Sequence, residues 1–267
     1  MAGYFDRQRV LVTGASSGIG RAFAARIAAD GGDLVLVARR EAVLRAQAEE
    51  LHARFGSSVE VIPADLGAPN AAASVAELLA QRAITVDALV NNAGLGLHGD
   101  LADADLGAVS SQIAVNITAL TELTAILLPS MIARGRGAVV NVASTAAFQP
   151  VPHMAVYAAT KAYVLSFTRA LWSETRGTGV QVLAVSPGAT DTAFFEIAGE
   201  DASVGSRRSP EQVVEAALGA LGSNRPDIVD GAANALLARI ACRIPAKWAI
   251  ALAERSVRPE SPVSQTN

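Results

Sequence analysis

Arg9-Val10-Leu11-Val12-Thr13 is a short apolar, β-branched run that passes without a break into Gly14-Ala15-Ser16-Ser17-Gly18-Ile19-Gly20, and a helical pattern follows. Strand, glycine loop and helix in that order form the first half of a βαβ unit. Glycines at the turn permit a tight bend and close backbone approach, and the helix N-terminus presents N–H groups and partial positive charge to an anion such as a pyrophosphate. The spacing is G-x-x-x-G-x-G rather than the commoner G-x-G-x-x-G. Taken alone, the loop also fits an ordinary glycine-rich turn.

Outward from this loop the same alternation repeats. Further strand patterns occupy 34–38, 59–62, 88–91, 138–142 and 181–186, with a weaker seventh at 228–230. Helical patterns occupy 19–30, 41–55, 71–82, 105–134, 156–176 and 210–221. Most strand patterns are continuous apolar runs, the signature of strands covered on both faces. The order predicts an α/β fold: one Rossmann-like, doubly wound sheet of about seven parallel strands with helices on both faces. Neither a Pro/Ser linker nor a 20–50-residue repeat interrupts it, so residues 1–267 read as a single domain.

Composition narrows the classes further. Of 267 residues, 51% are hydrophobic, 4% aromatic and 18% charged, and 55 are alanine. A disordered chain would be poorer in apolar residues. A net charge of -3 leaves no basic excess for a nucleic-acid partner. Cys242 is the sole cysteine, which excludes an intrachain disulfide or a cysteine-based metal cluster, and no other residues read as metal ligands. The N-terminal residues lack a secretory apolar region, and no apolar run approaches a spanning length, so a cytoplasmic setting is expected.

Tyr157 and Lys161 lie four residues apart, one turn apart on a helix face. A phenol ordinarily titrates near 10, and a nearby ammonium should lower it, making Tyr157 a proton donor to a carbonyl or an acceptor from an alcohol. Ser144, at the end of the fifth strand, could hydrogen-bond both the substrate oxygen and the phenol. A lone Tyr-x-x-x-Lys equally fits a helix with a surface lysine.

The glycine spacing resembles that of the short-chain dehydrogenase/reductase family, and further motifs of that family follow in order. They are Asp65 after the third strand, Asn91-Asn92-Ala93-Gly94 after the fourth, then Asn116, Ser144, Tyr157-x-x-x-Lys161 and Pro187-Gly188. The resemblance spans residues 9–192 and fades beyond. It implies a catalytic set of Asn116, Ser144, Tyr157 and Lys161, with Asn116 holding a water that extends a proton relay and Lys161 also gripping the nicotinamide ribose. Gly14, Ser16, Ser17, Gly18, Ile19 and Gly20 would cradle the cofactor. Asp65 and Leu66 would meet the adenine, Asn92, Ala93 and Gly94 the middle of the cofactor, and Pro187, Gly188, Thr190 and Thr192 its nicotinamide end, with Thr192 preferred for the carboxamide.

Cofactor choice turns on the end of the second strand. A carboxylate there would accept from the ribose 2′-OH of NAD, whereas arginine suits the 2′-phosphate of NADP. The sequence has Ala38-Arg39-Arg40, which resembles NADP-preferring members, with Arg39 the nearer contact; the pair also fits the solvated start of a helix. The expected activity is NADP(H)-dependent hydride transfer between nicotinamide and the carbonyl or secondary alcohol of a hydrophobic ketone, acyl or steroid-like substrate. A non-catalytic NADP-binding sensor or scaffold, or an NAD-linked alcohol dehydrogenase, are the rivals. The resemblance also implies a homodimer or homotetramer through the helices at 105–134 and 156–176.

Residues 191–209 lack periodicity and read as a lid over the substrate. Phe194 and Phe195 there, with Phe148, Val151 and Met154, form either an apolar substrate pocket or core packing. His153, and less directly His98, could line the mouth, although both also fit ordinary polar loop positions. His52 sits on a surface helix. Within 231–257, Leu236, Ile240 and Ile244 form an apolar stripe beside Arg239 and Arg243; Pro245 interrupts it, and Trp248 and Leu252 continue it. Residues 232–255 thus suit a peripheral membrane surface, a partner subunit or the chain's own domain.

Overall fold

The structure is a computed structural model, described here for residues 3–192 and 207–257. Seven parallel strands form one sheet: β1 (Arg9–Thr13), β2 (Asp33–Ala38), β3 (Val59–Pro63), β4 (Ala88–Asn91), β5 (Gly137–Val142), β6 (Val180–Ser186) and β7 (Asp227–Val229). Their spatial order is β3-β2-β1-β4-β5-β6-β7. β7 lies one residue earlier than its sequence pattern, because its pairing starts from Asp227 against Ala184.

The continuous apolar strands divide by alternation. Val10, Val12, Leu34, Leu36, Val90, Val140 and Leu183 point to one face, where α1 (Gly18–Ala29) and α7 (Pro210–Ala220) bring Phe23, Ile27 and Val213. Leu11, Val35, Val37, Leu89, Val139 and Val182 point to the other, where α3 (Ala71–Gln81), α5 (Leu120–Ala133) and α6 (Ala155–Glu174) pack. α2 (Glu41–Phe55) completes the first face through Leu44 and Leu51. Alanines 22, 24, 28 and 217 on one side and 71 and 72 on the other are buried, so small side chains let these helices approach the sheet closely.

The helical pattern at 105–134 is one helix from Leu106 to Ala133, long and apolar enough by composition to cross a membrane. Its Leu120, Leu123, Thr124 and Met131 are buried within the domain. It is not uniform. α4 (Leu106–Ile113) and α5 are joined by a π-helical segment, Ala114–Ala119. Such widened turns concentrate at functional sites, and this one carries Asn116.

The C-terminal segment is two helices rather than one. α8 (Ala232–Ala241) and α9 (Ala246–Val257) are separated at Pro245, whose carbonyl starts α9 by accepting from Trp248 at 2.9 Å. Because β1 and β4 are neighbours whose connections leave in opposite directions, a crevice opens at the carboxyl ends of the strands, the usual ligand position in such sheets.

Candidate active site

The glycine loop is shaped by a crossing of β1 and β4. Thr13 Oγ1 accepts from the backbone N–H groups of Asn92 and Ala93, both at 3.0 Å, and Asn92 Nδ2 donates to the carbonyls of Thr13 at 2.9 Å and Gly14 at 3.3 Å. A side chain at Gly14 would put Cβ 2.8 Å from Asn92 Nδ2, at a φ of +64°. One at Gly20 would overlap Asn92 and the Gly14 carbonyl. These two glycines are therefore required by the strand-end packing as well as by any ligand. Thr13 was not legible as a site residue; its signal is a hydroxyl at the last strand position before the loop.

The loop, α1 and the ends of β2, β3, β4 and β5 border a cavity of about 740 Å³. Gly14, Ser16, Ser17, Gly18, Ile19, Asp65, Leu66, Asn92, Ala93 and Gly94 all face it. No side chain caps the start of α1, which leaves the concave loop and helix terminus to a ligand. Gly20 lies behind the loop, where it permits the turn. Asp65 shapes its own turn by accepting from Gly67 N at 3.0 Å. Arg39 and Arg40 both border the cavity and are exposed. It is Arg40 that is tied to the loop, donating to Ser16 O at 3.2 Å and Ser16 Oγ at 3.1 Å.

Ser144, Tyr157 and Lys161 converge on the same cavity. Ser144 follows β5 by two residues and caps a 3₁₀ turn, Thr145–Phe148, by accepting from Ala146 N at 3.1 Å. Its hydroxyl also hydrogen-bonds the Tyr157 phenol. Lys161 Nζ is buried, lies 5.8 Å from the Tyr157 ring centre and donates to Val142 O at 2.8 Å. Burial pushes Tyr157 up to about 12, with the Ser144 bond acting to lower it, and brings Lys161 down to about 8. Desolvation is thus the larger cause at both groups and disfavours the charged form of each.

Asn116 is buried at the π-helical segment but does not itself line the cavity. Its amide is fully engaged: Oδ1 accepts from Leu95 N at 2.8 Å, while Nδ2 donates to Leu95 O and to Thr160 Oγ1, each at 2.9 Å. The widened turn lets one side chain bridge the β4 loop to α6 beside Lys161. Through these bonds the amide positions the β4 loop against α6. Behind it a buried polar ladder runs from Thr124 through Asn91 and Asn141 to Thr168, each step 2.9 Å.

At the far end, Pro187, Gly188, Thr190 and Thr192 face the cavity. Thr190 Oγ1 donates to Gly188 O at 3.1 Å, and Thr192 packs over Gly18. Gly188 carries no side chain where Asn234 of α8 comes in. Thr190 also pairs with Arg208 as the chain returns, and Arg208 Nε donates to the buried Asp230 carboxylate at 2.6 Å.

The substrate side departs from the sequence reading. Val151 and Met154 line it; Phe148 and His153 do not. Phe148 packs in a cluster with Leu120, Val164 and Leu165, and its ring lies 5.8 Å from the Arg169 guanidinium, because the 3₁₀ turn directs it onto α6. His153, at φ +59°, turns its Nδ1 to Asp100 at 2.6 Å. Phe194 and Phe195 lie outside the described residues, as does most of the proposed lid. The remaining wall comes from Leu95, Gly96 and Gln149 and from α8, α9 and the turn between them, through Leu237, Ala238, Ile240, Ala241, Ile244, Leu252, Ala253 and Val257. Helical spacing signalled an apolar stripe there but singled out Leu236, whereas Leu237 is the one that reaches the cavity.

Comparison with known proteins places this geometry. Residues 8–203 match the family model described as short chain dehydrogenase. Sulfoacetaldehyde reductase 2 of Chromohalobacter salexigens is 43% identical over 187 residues, covering 69% of this chain and 73% of that protein. A short-chain dehydrogenase from Sphingobium yanoikuyae, solved in complex with NADPH, superposes with a TM-score of 0.79 at 34% identity, covering 97% and 98% of the two chains. The bulky-bulky ketone specific alcohol dehydrogenase from Comamonas testosteroni gives 0.76 at 27% identity, covering 98% of each. With a family model spanning most of its length and relatives of this similarity, the chain belongs to the short-chain dehydrogenase/reductase family, oxidoreductases that act on alcohol and carbonyl groups with a nicotinamide cofactor.

Proposed function

We propose that this protein is an NADP(H)-dependent oxidoreductase for a bulky, hydrophobic ketone or the corresponding secondary alcohol. The observation that carries the cofactor choice is the pair Arg39 and Arg40 at the end of β2, with Arg40 held on Ser16 beside the glycine loop. Two guanidinium groups suit a 2′-phosphate, and no carboxylate stands at this strand end to accept from a ribose hydroxyl. The NADPH-bound relative supports the same choice. Bound along Gly14–Gly18, Asp65–Leu66, Asn92–Gly94 and Pro187–Thr192, the cofactor supplies or accepts the hydride.

The chain's own groups handle the oxygen. In the reductive direction Ser144 donates a hydrogen bond to the carbonyl oxygen, and Tyr157, kept protonated by its burial, transfers its hydroxyl proton to that oxygen as negative charge develops there. Lys161, positioned by Val142 O and by the Asn116 bridge, offers its ammonium to the cofactor ribose and to the developing phenolate. In the oxidative direction the same proton returns to Tyr157. Leu95, Val151, Met154 and the apolar faces of α8 and α9 exclude water and favour an apolar substrate.

Titration of the protein with NADPH and NADH, with Arg39→Ala and Arg40→Ala beside the wild type, tests the assignment. NADPH should bind at least tenfold tighter, and the double substitution should remove most of that preference. Equal or tighter NADH binding unaffected by either change would overturn it. A homo-oligomer through α4, α5 and α6 is part of the proposal, supported by Ile113, Ile126, Ile132 and Tyr163 on their exposed faces.

A further inference from the structure

The substrate chamber does not open onto an ordinary polar surface. Leu237, Ile240 and Leu252 line the cavity and are nevertheless 59%, 44% and 57% exposed. They therefore form its rim. Leu236 and Trp248 extend the rim outward at 58% and 64% exposure. Scattered exposed apolar residues are normal, but large ones gathered around an opening mark a contact surface.

The charge on these two helices and the turn between them is mostly positive. Arg239, Arg243, Lys247 and Arg255 are all exposed, against the single carboxylate Glu254 between 232 and 257, in a chain whose net charge is -3. On α8, Arg239 lies three residues from Leu236, and just beyond the helix Arg243 follows three residues after Ile240. On α9, Lys247 and Arg255 bracket the Trp248–Leu252 stripe. Apolar side chains with a tryptophan, bordered by long cations, suit the boundary between headgroups and acyl chains, where the stems bury and the charges meet anionic phosphates. A second copy of the chain suits the patch poorly, because a two-fold contact would bring each set of cations against its own like.

We propose that the α8–α9 rim docks on an anionic phospholipid membrane, with the mouth of the active-site cavity facing the bilayer. An apolar ketone partitioned into lipid would then enter without crossing bulk water. That consequence rests on the proposed function; the docking does not, and it is measured without turnover.

The chain has two tryptophans, so Trp172→Phe leaves Trp248 as the sole reporter. Full-length protein is mixed with phosphatidylcholine vesicles, alone or containing about a third phosphatidylglycerol, at low salt. Expected results are co-sedimentation with the anionic vesicles, a blue shift of Trp248 emission, and weakening by added salt. Arg243→Glu/Lys247→Glu, a change of four charge units, should lower vesicle affinity several hundredfold, at roughly fivefold for each unit. Trp248→Ala should lower it about tenfold. Far-UV circular dichroism and thermal melting report that each variant is folded, and both should be unchanged. No sedimentation and no blue shift overturns the proposal. So does vesicle binding that survives the charge reversal. Self-association abolished by Trp248→Ala, without lipid binding, would assign the rim to a second copy instead.

Discussion

At the strand ends, side-chain hydrogen bonds cross from element to element: Thr13 to Asn92 and Ala93, Asn92 to Thr13 and Gly14, Asn116 to Leu95 and Thr160, Lys161 to Val142. Across the cavity, α8 and α9 are held chiefly by small buried residues, Ala238, Ala249, Ala253 and Val257, with contacts such as His98 to the Val257 carbonyl at 2.6 Å. The first wall fixes atoms to within hydrogen-bond tolerance, as positioning a hydride acceptor demands. The second only needs to be apolar and near, so it can differ among relatives that share the first. The family match, which ends at residue 203, stops short of α8 and α9.

If this division is right, the largest effect comes from the precise wall. Tyr157→Phe removes the phenolic proton donor beside Ser144 while keeping the ring. The rate of carbonyl reduction should fall about 10²–10⁴-fold with NADPH affinity retained. Stopped-flow reduction alongside a binding titration separates the two, and retained turnover would break the comparison at its strongest point.

Burial of Lys161 gives the next effect, and its sign is set by linkage. The folded-state value of about 8 lies below the ordinary 10.5, so between these the unfolded chain holds a proton that the native protein does not. Stability should therefore rise with pH through this window, the charged form being the one that burial penalises. Urea melts of wild type against Lys161→Met should show the wild type gaining roughly 2–3 kcal/mol from pH 8 to 10.5, a gain the variant lacks. Tyr157 works oppositely and higher, losing its contribution as pH rises from 10 toward about 12.

A smaller loss is expected at Asn92. Alanine there removes donors to the Thr13 and Gly14 carbonyls, at a cost of about 1–2 kcal/mol. Thermal unfolding should register it, and NADPH affinity should fall in parallel because the same bonds shape the glycine loop. A change in stability without a change in affinity would separate strand-end packing from cofactor binding.

Most of the elements that carry the precise wall could be read from sequence because their signals are local. Strands buried on both faces announce themselves as apolar runs, and Gly14, Gly18 and Gly20 stand at fixed offsets from β1. The Asn116 turn was not readable: residues 114–119 keep helical spacing, and the widening depends on partners at Leu95 and Thr160, 21 and 44 residues away. Phe148 and His153 misled for a related reason. Their place in the chain sits beside Tyr157, but the 3₁₀ turn and a left-handed φ at His153 aim them elsewhere. For α8 and α9, spacing revealed an amphipathic face without saying that its edge meets a cavity.

The smallest effect tests the loose wall itself. His98 Nε2–H donates to the carbonyl of Val257, the last described residue of α9, and Val257 packs in a buried cluster with Val151, Met154 and Ala158 against which Tyr157 rests. His98→Ala removes one hydrogen bond, a loss of about 1 kcal/mol, at a point remote from the glycine loop. α9 should then exchange its amide hydrogens faster, and KM for a bulky ketone should rise about fivefold, while NADPH affinity and turnover of a small aldehyde stay constant. Restoration by His98→Gln, which keeps a donor, would tie the effect to the hydrogen bond rather than to lost packing. Equal losses with small and bulky substrates would mean that α9 helps to place the catalytic tyrosine, and the two walls would then be one mechanical unit.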